Sequence, residues 1–143
     1  MKILAALDFS IHAQAVLDAA LETAKWKNAE CIIYTAVQDL RNAYEGVTVD
    51  IGDRLKAEAE KRLESALQTA KAQGVNARVL VEIAVSSADK IIGLAEKEGV
   101  DLVVMGSGAK SGLDRFLIGS VTSAVVSHAK CFSVLVVRQA CKG

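Results

Sequence analysis

The sequence predicts an α/β fold: a doubly wound, five-stranded parallel sheet with helices on both faces. Three observations predict it. Short apolar runs recur at 3–7, 31–37, 77–83, 100–105 and 133–137, and near-continuous apolar runs are what strands covered on both faces require. The segments between them carry apolar residues at helical spacing. Strand and helix alternate from end to end, the order that builds a parallel sheet through crossover connections. Without a repeat, linker or low-complexity tract, residues 1–143 read as one domain.

The first strand, Ile3 to Leu7, is followed at once by Asp8. That puts a carboxylate at the carboxyl end of a strand, where open α/β sheets bind ligands. Ser10 is the expected N-cap of the first helix, its hydroxyl accepting from an N–H two or three residues on. Val16, Leu17, Ala20, Leu21 and Ala24 form the inward face of that helix, with Gln14, Asp18, Glu22 and Lys25 opposite. Cys31 to Val37 is the second strand. A polar, irregular connection follows from Gln38 to about Asp53, with Gly46, Gly52 and the aromatic Tyr44. A connection of that length in a compact domain is usually functional or mobile.

Helical spacing returns at Arg54, with Leu55, Ala59, Leu63, Ala66, Leu67 and Ala70 inward and Gly74 in the C-cap position. On the wet face Glu58 and Arg62 form a favourable i,i+4 pair, and Glu60 and Glu64 an unfavourable one. Ala77 to Ile83 alternates, as a half-wetted edge strand does. Ser86 or Ser87 caps a third helix that turns Ile91, Ile92 and Ala95 inward and stops at Gly99. Val100 to Met105 is the fourth strand. A stretch from Gly106 to Ser120 follows, holding four of the ten glycines, then a fourth helix to about Ala129. Ser133 to Val137 closes the sheet.

Seventeen basic residues balance seventeen acidic ones, which leaves no electrostatic footprint for nucleic acid or an anionic membrane. No apolar run nears the roughly 18 residues of a membrane span, and the apolar start is too short for a secretory signal. Cys31, Cys131 and Cys141 lack metal-ligand spacing and suit reduced thiols, Cys31 packed in its strand and Cys141 exposed. The expectation is a cytoplasmic protein with no protein metal site.

A glycine-rich turn between a buried strand and a helix start is a natural anion site. Glycines let backbone approach the ligand, and the first N–H groups of the helix point at it. Spacing excludes the two commonest phosphate cradles. Gly106, Gly108 and Gly112 miss G-x-G-x-x-G by one residue, and Lys110-Ser111 lacks the P-loop glycines in register. Asp8 keeps two readings, a helix-start carboxylate or a contact to a ribose or metal-bound phosphate. In the common strand order 3-2-1-4-5 it shares the switch-point crevice with the glycine-rich stretch. His12 reads as a surface residue. His128 continues the face of Val121, Ala124 and Val125 and reads as packed and hydrogen-bonded. No Ser/His/Asp grouping or carboxylate pair is suggested, so no catalytic residue is assigned and an enzyme with turnover is the weaker proposal.

The run Gly106 to Thr122 resembles the nucleotide-binding signature of the universal stress protein family: glycine, two residues, glycine, nine residues, glycine, then serine or threonine. Ile3 to Ser10 is similar to that family's first strand and Asp-x-Ser turn. Ala95 to Gly106 is similar to its third helix and fourth strand, and Val134 to Arg138 to its closing strand. The resemblance implies the order 3-2-1-4-5, a cytoplasmic stress-response protein, and a homodimer paired through the C-terminal strand. It also implies ATP or AMP, with Mg where phosphates call for it, at the switch point. Gly106 and Ala109 correspond to positions near ribose and phosphates, and Gly119, Ser120 and Val121 to the phosphate-binding helix start. Asp8 corresponds to the aspartate near nucleoside and metal, and Ala36 to a backbone contact with adenine. Occupancy would then alter the surface offered to a protein partner.

The sequence departs from the signature at Ala109, where the family has its second glycine. A positive φ there would cost alanine about 1 kcal/mol, a roughly five- to tenfold weaker site. Gly108 is placed to relieve that strain, and Lys110 and Arg115 to add charge-assisted contacts. Val85 and Ser87 also depart, and Val85 is expected to narrow the nucleoside pocket. If Ala109 and Val85 close the crevice, the alternative is a dimeric interaction protein that binds no nucleotide. A flavin carrier on a similar sheet would have only Tyr34 and Tyr44 for stacking.

Overall fold

The computed structural model describes residues 1–10, 12–39, 49–108 and 118–138. In chain order it contains β1 (Lys2–Ala6), α1 (Ala13–Lys27), β2 (Glu30–Gln38), α2 (Val49–Ala72), β3 (Ala77–Ala84), α3 (Ser87–Glu98), β4 (Leu102–Gly106), α4 (Ser120–His128) and β5 (Ser133–Val137). All pairings are parallel and the sheet order is β3-β2-β1-β4-β5. This is the predicted fold class and the predicted order.

β1 lies at the centre, with Ala5 opposite Ile33 on one side and Val104 on the other. Side chains alternate between the two faces along each strand. Ile3, Ala5 and Leu7 pack with Leu17 and Leu21 of α1 and Leu63 of α2, while Leu4, Ile32, Tyr34 and Met105 pack with Ile91 of α3 and Val125 of α4. Two helices on each face explain why the strands read as unbroken apolar runs. The five inward residues expected on α1 are its buried set. Ser86 is the cap of α3, its Oγ accepting from the Asp89 N–H at 3.3 Å. Gly74 and Gly99 close α2 and α3 at φ +76° and +68°, as C-terminal glycines do.

α2 departs from expectation. It begins at Val49 rather than Arg54, so the second half of the expected Gln38–Asp53 connection is partly helix. Gly52 carries a helix penalty of about 1 kcal/mol, yet it sits where α2 crosses β3, and a Cβ there would touch Ile83 Cδ1 at 3.5 Å. Packing outweighs propensity. At the other end Gln38 completes β2, and the Asp39 N–H donates to Ala84 O at 2.9 Å. Tyr44 and Gly46 lie outside the described residues. Among the described residues, no helix is long and apolar enough to cross a membrane.

Candidate functional site

The site is built where β1 and β4 end side by side. Leu7 donates its N–H to Tyr34 O at 2.8 Å, and Thr35 Oγ1 donates back to Leu7 O at 2.6 Å. These two bonds fasten the end of β1 to β2 and fix the direction in which Asp8 leaves the sheet. Asp8 Oδ1 accepts from the Ser10 N–H at 3.0 Å, and Ser10 Oγ accepts from the His12 N–H at 3.2 Å. Ser10 thus captures an N–H two residues on, as expected, but from the turn before the helix: His12 is the N-cap and makes no side-chain capping bond. Phe9, between them, takes φ +60°, a costly conformation for a bulky residue. Its ring lies 5.2 Å from the Arg62 guanidinium carbon, and Arg62 pairs with Glu58 at 3.4 Å as expected.

The opposite wall is backbone. Ser107 donates its N–H to Val137 O at 3.1 Å and accepts the Gly119 N–H on its own carbonyl at 2.6 Å. Thr122 Oγ1 donates to Gly106 O at 2.7 Å, which ties α4 to the end of β4. Gly108 takes φ +75°, and a Cβ on it would fall 2.9 Å from Gly119 Cα. No other residue fits this approach. Gly119 caps α4 without a side-chain bond, and the first turn of α4 holds no acidic residue. The N–H groups of that turn therefore lack intrahelical acceptors and sit at the positive end of the helix dipole.

Between these walls is a crevice of about 310 Å³. Asp8, Ala36, Gly106, Gly119, Ser120 and Val121, all singled out in the sequence, line it. Ala109, Lys110 and Arg115 lie outside the described residues. The sequence reading missed Tyr34, Ile91 and Met105 as apolar wall; Gly108 and Thr122, which it placed within the glycine-rich signature without naming them as contacts, also line the crevice. Alternation along β2 and β4 was the available signal, since it sends Tyr34 and Met105 to the face that α3 and α4 cover.

Three expectations are corrected. Val85 is 81 % exposed and does not narrow the crevice; Ser87, at the start of α3, lines it instead. His12 is buried, because Gly106 without a Cβ lets α1 close over β4: a Cβ on Gly106 would come within 3.2 Å of His12 Cβ. His128 is exposed on the last turn of the short α4, which buries Thr122 and Val125, although its Nδ1 lies 2.8 Å from Ala124 O.

Burial pushes the Tyr34 hydroxyl well above its ordinary pKa, and the nearby Glu82 carboxylate pushes it further. Burial likewise raises the Cys31 thiol to about 12. Among the described residues, no group of three or more His, Cys, Asp or Glu side chains could hold a metal ion.

The family model described as Universal stress protein family matches residues 1–138. The chain is 32 % identical over 134 residues to Universal stress protein A homolog 1 of Coxiella burnetii, covering 90 % of each chain. The solved structure of the MJ0577 protein of Methanocaldococcus jannaschii superposes with a TM-score of 0.84 at 27 % identity, covering 99 % of this chain and 97 % of that one. A universal stress protein solved in complex with cAMP superposes with a TM-score of 0.70 at 27 % identity, covering 96 % of each.

Proposed function

Because the chain belongs to the universal stress protein family, we propose that it is a stress-response regulator whose crevice binds an adenine nucleotide, ATP or AMP. The observation that carries this reading is the convergence of Asp8, Ala36, Gly106, Gly119, Ser120 and Val121 on one crevice at the switch point between β1 and β4. The cradle fits a phosphate: Gly108 and Gly119 leave backbone exposed where a Cβ has no room, and the uncapped start of α4 offers N–H donors and positive potential. Ala6, Ile91 and Met105 give an apolar wall suited to a purine. Asp8, between the two ends, suits the ribose hydroxyls. The cAMP complex of a similar protein supports the same ligand class. Magnesium, where present, belongs to the phosphates rather than to a protein cage.

Binding, not turnover, is the proposed activity. The nucleotide supplies negative charge and a rigid surface; Gly106, Ala109, Gly119, Ser120 and Val121 hold the phosphates, and Asp8 and Ala36 orient the nucleoside. Occupancy changes the surface around the cradle and so the contact with a protein partner in the cytoplasm. Two copies of the single domain pair through β5, the sheet edge, where Leu135 is 40 % exposed. The exposure of Val85 removes one of the two grounds for a closed crevice.

Mass spectrometry of freshly purified, denatured protein and calorimetry with AMP and Mg-ATP test the reading. A co-purified adenine nucleotide, or saturable heat at micromolar ligand, is expected. No bound nucleotide and no heat at millimolar ligand refutes it.

A further inference from the structure

β1 stops at Ala6, opposite Tyr34, whereas β2 continues through Gln38. Past Leu7, β1 therefore no longer divides the two faces of the sheet beside β2. The nucleotide crevice lies on the face covered by α3 and α4. On the opposite face, under α2, a second chamber of about 280 Å³ opens, lined by Phe9, Thr35, Val37 and Leu55 among others. Asp8 and Ala36 line both spaces, so the two meet at the carboxyl end of β1.

The chemistry of the chamber is apolar. Thr35 Oγ1 is committed to Leu7 O at 2.6 Å, so Thr35 offers its methyl group. Glu58 and Arg62, on the same wall, pair with each other at 3.4 Å, and the guanidinium carbon lies 5.2 Å from the Phe9 ring. Phe9 holds its costly φ of +60° while remaining 37 % exposed. Core packing therefore does not account for the strain, and residues strained in this way cluster at ligand sites. A group entering the chamber would cover the ring.

In the nucleotide reading, on which this inference rests, Asp8 meets the ribose hydroxyls. A substituent on either ribose oxygen then starts at the junction of the two spaces, and the chamber beyond has room for one aromatic ring. We propose that the second chamber accepts an apolar aromatic or acyl group esterified to the ribose 2′ or 3′ oxygen, so that the protein selects ribose-substituted adenine nucleotides over unsubstituted ones. Val37 and Leu55 supply aliphatic contact, and Phe9 an aromatic partner.

The probe is AMP carrying an N-methylanthraniloyl group on its 2′ or 3′ oxygen, compared by calorimetry with AMP and with N6-benzyl-AMP, whose added ring is on the base. Wild type should bind the anthraniloyl nucleotide about tenfold more tightly than AMP, the effect of burying part of one ring. The probe's fluorescence should rise and shift to the blue as the ring leaves water. N6-benzyl-AMP should show no such gain. Leu55→Trp fills the chamber and should bring the affinities for AMP and the anthraniloyl nucleotide together. Phe9→Gly removes the ring and relieves the positive φ, so the ligand-free melting temperature should stay unchanged or rise while the ratio of the two affinities falls. A wild type that binds the anthraniloyl nucleotide no more tightly than AMP overturns the proposal, a result independent of how the variants fold. So does an equal gain with N6-benzyl-AMP, or a gain that both variants retain. These outcomes leave the nucleotide reading standing, whereas a wild type that binds no adenine nucleotide overturns both.

Discussion

Gly108 and Gly119 stand back to back: a Cβ built on Gly108 would lie 2.9 Å from Gly119 Cα, and one built on Gly119 would lie 3.0 Å from Gly108 Cα. Real Cβ atoms do not approach backbone so closely, so neither position accepts a side chain without movement. The hydrogen bond from the Gly119 N–H to Ser107 O, at 2.6 Å, pins the same junction. The end of β4 and the start of α4 are thereby held as one unit, and the donors at the start of α4 acquire a fixed direction.

Alanine at these two positions should not be equivalent. Gly119→Ala meets only the steric conflict, because its φ of −61° is open to any residue. Gly108→Ala adds the penalty of φ +75°. Gly108→Ala should therefore cost about 2–4 kcal/mol and Gly119→Ala about 1–3 kcal/mol. Urea titrations measure both, and a Gly108→Ala variant as stable as wild type would show that the junction is not tightly packed.

Ala109→Gly should leave nucleotide affinity within about twofold of wild type, in contrast to the tightening expected if Ala109 bore the strain. Gly108 already takes the left-handed conformation beside the cradle, so a further glycine relieves nothing and only adds freedom to the unfolded chain. Calorimetry with Mg-ATP on the two proteins decides it. A gain of five- to tenfold, about 1 kcal/mol, would place the strain at residue 109.

Much of this was legible before the structure. β1 and β2 are covered on both faces, so Leu4, Ala5, Ile32 and Ile33 had to be apolar together, and their runs stand out in the sequence. The glycine-rich stretch announced the cradle because close backbone approach admits no other residue. What stayed hidden depended on depth. His12 and His128 each sit at one end of a helix, and only the packing of that helix decides which is covered. Tyr34 lies in an apolar run and reads as core; that it also lines the crevice emerges only from the folded chain. Val85 was weighed by position alone, and a strand end can turn outward as easily as inward.

Leu135→Lys should separate the proposed dimer. β5 pairs with β4 on one side and is the sheet edge on the other, and Leu135 and Val126 are exposed large apolar residues of β5 and the neighbouring α4. Two lysines facing across a shared interface would repel, and lysine is a residue that protects natural edges from pairing. Light scattering after size exclusion should show a dimer for wild type and a monomer for the variant, with an unchanged far-ultraviolet spectrum. A wild-type monomer, or a variant that stays dimeric, would move the interface elsewhere or remove it.

Cys31 and Cys131 should differ in reactivity, and Cys31 should leave its mark on alkaline stability. Cys131 is exposed and Cys31 buried, so an aromatic disulfide reagent at pH 8 should label Cys131 at once and Cys31 only on unfolding. Burial raises the folded Cys31 pKa from 9.0 to about 12. Below pH 9 both states hold the proton and this thiol gives stability no pH dependence. Between pH 9 and 12 the unfolded thiol ionises while the folded one does not, so the unfolded state binds fewer protons and stability falls as pH rises. The Tyr34 hydroxyl, raised from 10.0 by burial and by Glu82, acts in the same direction over a higher range. Urea titrations from pH 8 to 11 should show this decline, and Cys31→Ala should make it shallower whatever it costs at neutral pH. An identical slope in the two proteins would mean that the Cys31 thiol is not shielded from ionisation in the folded state.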